Sequence, residues 1–208
     1  MAANQSGSRD NPFHALTLAI LAAGRSTRFG ANKLEQPLAG LPVGLHVAQT
    51  AAGLPFRHRV AVCAPGASIG GGFERFGFGV QFNPNPQEGI SGSLAIAGRL
   101  AQRGGSDGLL ICLADMPLVD AALLRSLAEC WATDPSKPIV TVGTNYRGPP
   151  TILAAALLPK LATLTGDRGA RDLLATARTL SAPDAKLIDI DRPDDLAKLI
   201  ADSELPPR

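Results

Sequence analysis

The sequence is poor in the residue types from which disulfide frameworks, metal centres and catalytic triads are built. Its three cysteines include no CxxC pair, and its three histidines lack the spacing of metal ligands. This argues against a disulfide framework or a zinc site and favours a reducing, cytoplasmic location. The sequence also has no recognisable Ser-His-Asp or Cys-His arrangement.

The sequence also lacks a large excess of positive or negative charge, and it has no long hydrophobic run. The formal net charge is +2 without a basic block, so no nucleic-acid partner is expected and any phosphate recognition should be local. The apolar stretch 13–23 is too short to span a membrane, and it contains His14. We interpret it as a buried strand rather than as a signal peptide, and we expect no membrane partner.

The overall amino-acid composition is typical of one globular domain. With 45% hydrophobic and 18% charged residues among 208, the chain can bury a sizeable core. Residues 1–14 are expected to be a disordered extension and residues 15–208 a single domain. Continuous apolar runs, which are typical of strands buried on both faces, cover 16–22, 59–64, 108–113 and 138–142, with weaker runs at 78–82 and 186–190.

Helix-like patterns separate these runs. Alternating strands and helices predict an α/β fold in three layers, with a mostly parallel, Rossmann-like sheet between helices. Ligands bind such sheets beyond the C-terminal ends of the strands, so the loops there are the candidate site. The predicted helices cover 44–52, 91–102, 121–131, 154–164, 169–177 and 193–200, with Ser91, Asp120 and Asp167 as candidate N-terminal caps.

The loop after the first run is rich in glycine and positive charge. Gly24 and Gly30 let a phosphate approach the backbone, while Arg28 and Lys33 add charge in what we expect to be an exposed loop. The spacing matches neither a Walker A loop nor a dinucleotide fingerprint. An ordinary strand-to-helix turn with two solvated basic residues is the alternative interpretation.

Two aspartates also stand at the ends of apolar runs. Asp115 follows the run 108–113, and Asp189 ends the weaker run 186–190. A hard cation on nucleotide phosphates prefers carboxylate oxygens. Taken alone, however, Asp115 is more simply explained as a turn residue ahead of Pro117.

Two further loops lead into predicted helices. Residues 83–93 bring Ser91 and Ser93 to a helix start, where free N–H groups can hold an anion. Residues 164–174 bring two arginines to another helix start, which a bound anion would explain because cations oppose the helix dipole there. Plain N-capping is the alternative in both loops.

Taken in the order in which they occur along the chain, the motifs resemble those of the MobA-like NTP transferases. Among these they are closest to the molybdenum cofactor cytidylyltransferase branch. The resemblance implies the three-layer fold of the nucleotide-diphospho-sugar transferases, Mg²⁺ as cofactor, and a nucleoside triphosphate and a phosphorylated small molecule as substrates. A molybdoenzyme maturation partner is a further candidate. The motifs are 21–33, 83–94, 113–117, 148–150, 166–171 and 189–193.

The same resemblance implies roles for individual residues. Arg28, Lys33 and Asp115 would be catalytic, with the two basic residues on the triphosphate. Asp115 and Asp189 would be the metal ligands. The acceptor side would include Gly166, Asp167 and Arg171, and the nucleotide would lie against Leu21, Ala22, Ala23, Gly24, Arg28, Lys33, Gly89, Ser91, Ser93 and Asp115.

The implied reaction moves CMP from CTP to a phosphate of the acceptor, with molybdopterin as the lead acceptor and pyrophosphate as the leaving group. Two positions depart from the branch. Gly92 stands where a serine is frequent, and Pro149-Pro150 suggests a divergent group whose acceptor need not be molybdopterin. Several alternatives stay open, because fold resemblance does not fix function. They are a GTP-using guanylyltransferase, a transferase for another phosphorylated acceptor, a non-catalytic nucleotide-binding module, and an oxidoreductase on the same fold.

Overall fold

The fold is built around a central β-sheet. A computed structural model describes residues 11–24, 29–30, 32–164 and 172–204. Its strands are β1 (Leu16–Ala22), β2 (Pro37–Leu38), β3 (Leu41–Pro42), β4 (His58–Cys63), β5 (Gly79–Phe82), β6 (Gly108–Leu113), β7 (Ile139–Val142), β8 (Arg147–Ala154) and β9 (Arg178–Ser181). Seven of them form one sheet in the order β5-β4-β1-β6-β8-β7-β9, while β2 and β3 pair as a short hairpin. Strand β8 is antiparallel to both of its neighbours, and the other neighbours in the large sheet are parallel.

Helices connect the strands. The α-helices are α1 (His46–Ala52), α2 (Gly70–Arg75), α3 (Ile90–Arg103), α4 (Ala121–Ala132) and α5 (Pro193–Glu204). Shorter 3₁₀ segments are Pro12–Ala15, Lys33–Glu35, Val43–Leu45, Pro86–Glu88, Ala155–Thr163 and Asp184–Lys186. Among the described residues, no helix combines the length and the hydropathy needed to cross a membrane.

Strand β1 shows why the fold has three layers. All seven of its residues are buried, and successive side chains point to opposite faces of the sheet. Leu18 and Ile20 belong to the cluster that α1 and α4 cover, whereas Ala19 and Leu21 belong to the cluster that α3 covers. The continuous apolar run is therefore the signature of a doubly covered strand. The predicted mostly parallel sheet with helices on both sides is confirmed.

Three predicted elements differ from the structure, and one of them is the predicted helix 169–177, in which the described residues after Asp172 form turns rather than a helix. The predicted strand 186–190 is wrong: Asp184–Lys186 is a 3₁₀ turn, and the Ile190 amide donates to the Asp115 carbonyl at 2.9 Å instead of joining the sheet. The predicted helix 154–164 is a 3₁₀ segment that contains Pro159, which removes a backbone donor. The seven-stranded sheet also contains β8 and β9, and neither strand was predicted.

The structure also describes two of the predicted helix caps and part of the amino-terminal segment. The Asp120 carboxylate accepts a hydrogen bond from the Leu123 amide and caps α4, as predicted. Ser91 is not a cap, because α3 begins one residue earlier with Gly89 in the capping position. Asp167 and residues 1–10 lie outside the described residues. Phe13, within the predicted extension, is buried in the core.

Candidate active site

The loops after β1 and β6 begin side by side at the carboxyl edge of the sheet. Leu21 is in register with Leu113, and the Ala114 amide donates to the Leu21 carbonyl at 3.1 Å. Ala114 and Met116 are buried, so both neighbours anchor the intervening Asp115. The carboxylate of Asp115 therefore stands at the edge where α/β sheets bind ligands.

Lys33 brings a buried positive charge to the same edge. Its side chain is only 8% exposed, and its Nζ lies 2.7 Å from Asp115 Oδ2 and 3.1 Å from Asp191 Oδ1. Asp189 Oδ1 lies farther away, at 3.8 Å. The expectation of an exposed Lys33 is wrong, because neighbouring carboxylates compensate the burial of its charge. We call Lys33, Asp115, Asp189 and Asp191 the lysine–carboxylate cluster.

The two later aspartates are fixed by the segment that contains them. Ile190 is fully buried, and its amide hydrogen bond to the Asp115 carbonyl ties this segment to the loop after β6. The Asp195 carboxylate accepts hydrogen bonds from the amides of Asp191 and Arg192 and so orders the start of α5. Asp191 was interpreted from the sequence as part of a helix start only. Its spacing of two residues from Asp189 is the pattern that places side chains on one face of an extended chain.

The charged groups of the cluster shift one another's pKa values. Burial lowers the pKa of Lys33, but the charge and hydrogen bond of Asp115 and the other carboxylates outweigh it, so the pKa lies above its usual value. Burial and the negative charge of Asp115 raise the pKa of Asp189 to about 7, with Lys33 opposing. The positive charge of Lys33 therefore does not fully compensate the three carboxylates.

Two oxygens of the cluster lack hydrogen-bond donors. Asp115 Oδ1 and Asp189 Oδ1 are buried, and neither accepts a hydrogen bond from the part of the chain that the structure describes. Buried polar atoms of this kind are rare in folded proteins and call for an explanation. Two buried carboxylate oxygens without donors, one from Asp115 and one from Asp189, are suited to ligate a hard divalent cation.

A cavity of about 510 Å³ opens beside Asp115 at the ends of β1 and β6. Its volume lies within the range of small-molecule sites. Seven residues predicted to contact the nucleotide line it, and these are Leu21, Ala23, Gly24, Lys33, Gly89, Ser93 and Asp115. The wall also includes Leu34, Pro86, Gln87, Ile90 and Leu113, which were not predicted.

Three other residues predicted to contact the nucleotide are placed differently. The Ala22 side chain packs into the core on the far face of β1. Ser91 is buried in the first turn of α3 and is absent from the wall of this cavity. Arg28 lies outside the described residues, as do the predicted acceptor-side residues Gly166, Asp167 and Arg171.

The structure gives a local reason for Gly92. Asn83 is buried, and its Nδ2 donates to Ser93 Oγ at 3.1 Å while its Oδ1 accepts from the Asn85 amide at 3.0 Å. A Cβ atom at Gly92 would lie 3.0 Å from both polar atoms of the Asn83 amide. Glycine at this position therefore leaves room for the side chain that holds the loop to α3.

A second cavity, of about 490 Å³, adjoins the first. Asp189 lines it, and Ile90 and Leu113 line both cavities. Tyr146 forms part of its wall, with its hydroxyl donating to the Pro149 carbonyl at 2.6 Å. Two cavities of similar size thus share part of their walls, and each has one of these carboxylates in its lining.

Comparisons with known proteins identify the family of this chain. The MobA-like NTP transferase domain matches residues 18–182. The chain is 31% identical to the purine catabolism protein PucB of Bacillus subtilis over 190 residues, which cover 85% of this chain and 91% of PucB.

Solved structures show the same fold at lower sequence identity. Rv0371c of Mycobacterium tuberculosis superimposes with a TM-score of 0.75 at 23% identity, over 90% of this chain and 97% of that one. Its complex with manganese superimposes with a TM-score of 0.69 at 22% identity, over 90% and 98%. Molybdopterin-guanine dinucleotide biosynthesis protein A of Archaeoglobus fulgidus gives a TM-score of 0.69 at 19% identity, over 90% and 98%. The domain match over most of the chain and the relationship to PucB show that this chain belongs to the MobA-like NTP transferase family.

Proposed function

We propose that this chain transfers CMP from CTP to the phosphate of a small-molecule acceptor and releases pyrophosphate. The observation that carries this proposal is the pair of cavities that meet at the lysine–carboxylate cluster. Asp115 lines the first cavity and Asp189 lines the second. Such an arrangement allows two substrates to be held with their reacting phosphates at one boundary, which is the main requirement of a group transfer without a covalent intermediate.

The chemistry needs no nucleophile from the protein. An oxygen of the acceptor phosphate, already anionic, forms a bond to the α-phosphorus of CTP. The bond between that phosphorus and the oxygen bridging to the β-phosphate breaks, and the electron pair leaves with pyrophosphate. The protein has to align the two phosphates and to compensate negative charge as it moves toward the leaving group.

We propose Mg²⁺ as the cofactor, held by Asp115 and Asp189. The buried oxygen of each residue that lacks a hydrogen-bond donor supports this assignment. A bound divalent ion would supply positive charge to the phosphate oxygens at the boundary between the cavities. The manganese complex of Rv0371c supports a divalent ion as well.

Lys33 then has two sets of partners. In the structure its Nζ pairs with carboxylates, and Lys33 also lines the first cavity. We infer that it turns toward the triphosphate when nucleotide is bound, where Arg28 supplies a second positive charge. Lysine suits this role because its ammonium is a point charge at the end of a flexible stem.

The preference for CTP rests on Ala23. Ala23 lines the first cavity and is almost fully buried. In the resembled family, glycine at this position accompanies GTP and alanine accompanies CTP. The methyl group occupies space that a purine would need, whereas glycine would let the base approach the backbone more closely.

Molybdopterin is the first acceptor to test. The resemblance to the cytidylyltransferase branch and the fold shared with the Archaeoglobus fulgidus protein support it. A screen of pyrophosphate release with the four nucleoside triphosphates and a panel of phosphorylated acceptors, with Mg²⁺ or with EDTA, tests the whole proposal. Release that needs CTP, acceptor and metal together is expected. CTP binding without any release across the panel would favour the non-catalytic binding module.

A further inference from the structure

Strand β5 lies at one edge of the seven-stranded sheet, next to β4. The Asn83 amide donates to the Cys63 carbonyl at 2.9 Å, so the backbone groups of the alternate residues Val80 and Phe82 point away from β4. The Val80 carbonyl accepts a hydrogen bond from the side-chain amide of Gln81. The described part of the chain offers no partner to the backbone groups of Phe82. The outer side of β5 is therefore an edge with which a further strand can pair.

A groove of about 260 Å³ lies beside this edge, between β5 and α3. Ile96 and Leu100, one turn apart on α3, line it and are half-buried. Phe82 lines it from β5 and is 53% exposed, and no other large hydrophobic residue of the described segments is exposed. The volume is below the range of about 300–1,000 Å³ that is typical of small-molecule sites. The groove is therefore better matched to one apolar side chain of a partner than to a metabolite.

Two arginines give the groove a positive charge. Arg99 and Arg103 line it and are exposed, and they lie one turn apart on α3. Neither forms an ion pair or a hydrogen bond with residues 11–24, 29–30, 32–164 or 172–204. No described residue of the lining is acidic. The groove thus combines apolar surface with positive charge, which is complementary to an acidic partner.

From this we propose that the surface formed by β5 and α3 binds an extended, acidic segment of a partner protein. The segment would add to the sheet as a strand beside β5, place one apolar side chain in the groove and direct carboxylates toward Arg99 and Arg103. This inference does not depend on nucleotidyl transfer, because the groove shares no described lining residue with the two cavities.

A second copy of this chain fits the same surface less well. Association about a two-fold axis places the same surface of both copies at one interface. Pairing of two β5 strands would therefore bring Arg99 and Arg103 of both copies together, without an acidic residue of either groove to compensate them. Such like charges at one interface are unfavourable. An acidic segment of another protein compensates the arginines instead.

Selection of peptides on the immobilised full chain tests the chemistry of the partner. The probe is a displayed library of random peptides of about ten residues, which is long enough to form one strand. The recovered peptides should be enriched in aspartate and glutamate and should share a large apolar residue. Recovery of no peptide, or of peptides without an excess of acidic residues, would overturn the proposal.

Charge reversal tests the role of the two arginines. The double variant Arg99→Glu, Arg103→Glu should bind a recovered acidic peptide at least about 10-fold more weakly in fluorescence anisotropy, because attraction becomes repulsion. The same peptide with lysine at its acidic positions should prefer the double variant to the unmodified chain. Arg125→Glu combined with Lys198→Glu makes the same change in net charge at exposed positions outside the groove, so it is the control. Equal effects of the two double variants would contradict the assignment.

Methylation of alternate backbone amides in a recovered peptide tests the addition of a strand. Two versions of the peptide, N-methylated at the odd or at the even positions, differ in which edge of the extended chain is blocked. One version should lose at least about 10-fold in affinity, and the other should bind like the unmodified peptide, because only one edge of an added strand faces β5. Equal losses, or no loss in either version, would contradict strand addition.

Phe82→Ser distinguishes the other candidates for this surface. The variant should bind the peptide more weakly and should sediment in the same association state as the unmodified chain. A dimer that Phe82→Ser dissociates would assign the surface to a second copy and overturn the proposal. Competition by a synthetic peptide of residues 1–10 would assign it to the chain's own amino-terminal segment, with the same consequence.

Titration of CTP separates this inference from the proposed function. The variants at Phe82, Arg99 and Arg103 should bind CTP like the unmodified chain, because none of these residues lines the first cavity. A chain that binds acidic peptides but not CTP would contradict the proposed function alone. A chain that binds CTP but selects no acidic peptide would contradict the inference alone.

Discussion

The ammonium of Lys33 lies 2.7 Å from the carboxylate of Asp115, and both side chains line the same cavity. The pair joins the loop after β1 to the loop after β6, which are far apart in sequence. Lys33 also faces Asp189 and Asp191, so among the described residues one cation stands against three carboxylates. This excess of negative charge has consequences for stability, for pH dependence and for substrate binding.

Replacement of Lys33 by methionine should lower both stability and CTP affinity. Removal of one partner from a fully buried ion pair costs about 3–5 kcal/mol. Because Asp189 and Asp191 are partly exposed, we expect a decrease of about 1–3 kcal/mol in the free energy of unfolding of the metal-free protein. Urea denaturation and calorimetric titration with CTP measure the two effects.

Lys137→Met is the matched control for this variant. Lys137 pairs with Asp134 on the surface, and its side chain is 61% exposed. The control should change the free energy of unfolding by less than about 0.5 kcal/mol. A Lys33→Met protein with the stability and CTP affinity of the control would show that the cluster has neither a structural nor a binding role.

The stability of the metal-free protein should fall as pH rises from about 4 to about 7. The pKa of Asp189 is about 7 in the folded chain, against 3.8 for an ordinary aspartate. Between these values the folded protein holds a proton that the unfolded chain has released, so raising the pH favours unfolding. Above about 7 both states have lost the proton, and this contribution no longer changes with pH.

Asp189→Asn isolates this effect. The amide cannot ionise, so the difference in unfolding free energy between the variant and the unmodified chain should grow in favour of the variant across the same pH window. Urea denaturation at several pH values in EDTA measures it. A pH-independent difference between the two proteins would mean that Asp189 ionises normally.

Base selectivity should depend on Ala23. With one acceptor, kcat/KM should be higher for CTP than for GTP, and Ala23→Gly should shift the ratio toward GTP by roughly 10-fold or more. Gly53→Ala is the control for an added methyl group away from the cavity, because Gly53 is exposed at the end of α1 and a Cβ atom there would meet no described atom within 4 Å. Equal efficiencies for the two nucleotides, or no gain for GTP in Ala23→Gly, would contradict the assignment.

The sequence predicts the buried centre of the fold well because strands covered on both faces have an unmistakable pattern. Residues 16–22 and 108–113 are continuous apolar runs, and both become central strands. Strand β8 was missed because Pro149 and Pro150 conceal an apolar run that continues to Ala154. The segment 186–190 looked like a strand because it is apolar, yet its burial comes from contacts beside the sheet, which sequence periodicity does not distinguish.

The candidate site was predicted where its residues follow strands directly. Asp115 and Ala23 belong to that class, and both line the first cavity. The burial of Lys33 was not predictable, because it depends on carboxylates more than 80 positions away in the sequence. The second cavity was also missed. Its wall combines leucines from several elements, and each of them alone resembles an ordinary core residue.

The central claim is that the lysine–carboxylate cluster supports metal-dependent nucleotidyl transfer, and Asp115→Asn addresses it. The amide preserves the shape of the side chain but loses the charge that holds a hard cation. Asp134→Asn is the control, at a partly exposed aspartate whose partners among the described residues are its neighbours Ser136 and Lys137.

The most direct measurement is pyrophosphate release from CTP in the presence of molybdopterin and Mg²⁺, with the acceptor panel used in the same assay. The unmodified chain and Asp134→Asn should release pyrophosphate at equal rates, and EDTA should stop both. Asp115→Asn should lose at least about 100-fold in kcat/KM, comparable to the removal of one charge-stabilising group from other active sites. Wild-type rates for Asp115→Asn at low Mg²⁺ would contradict the account and leave Asp115 as a turn residue.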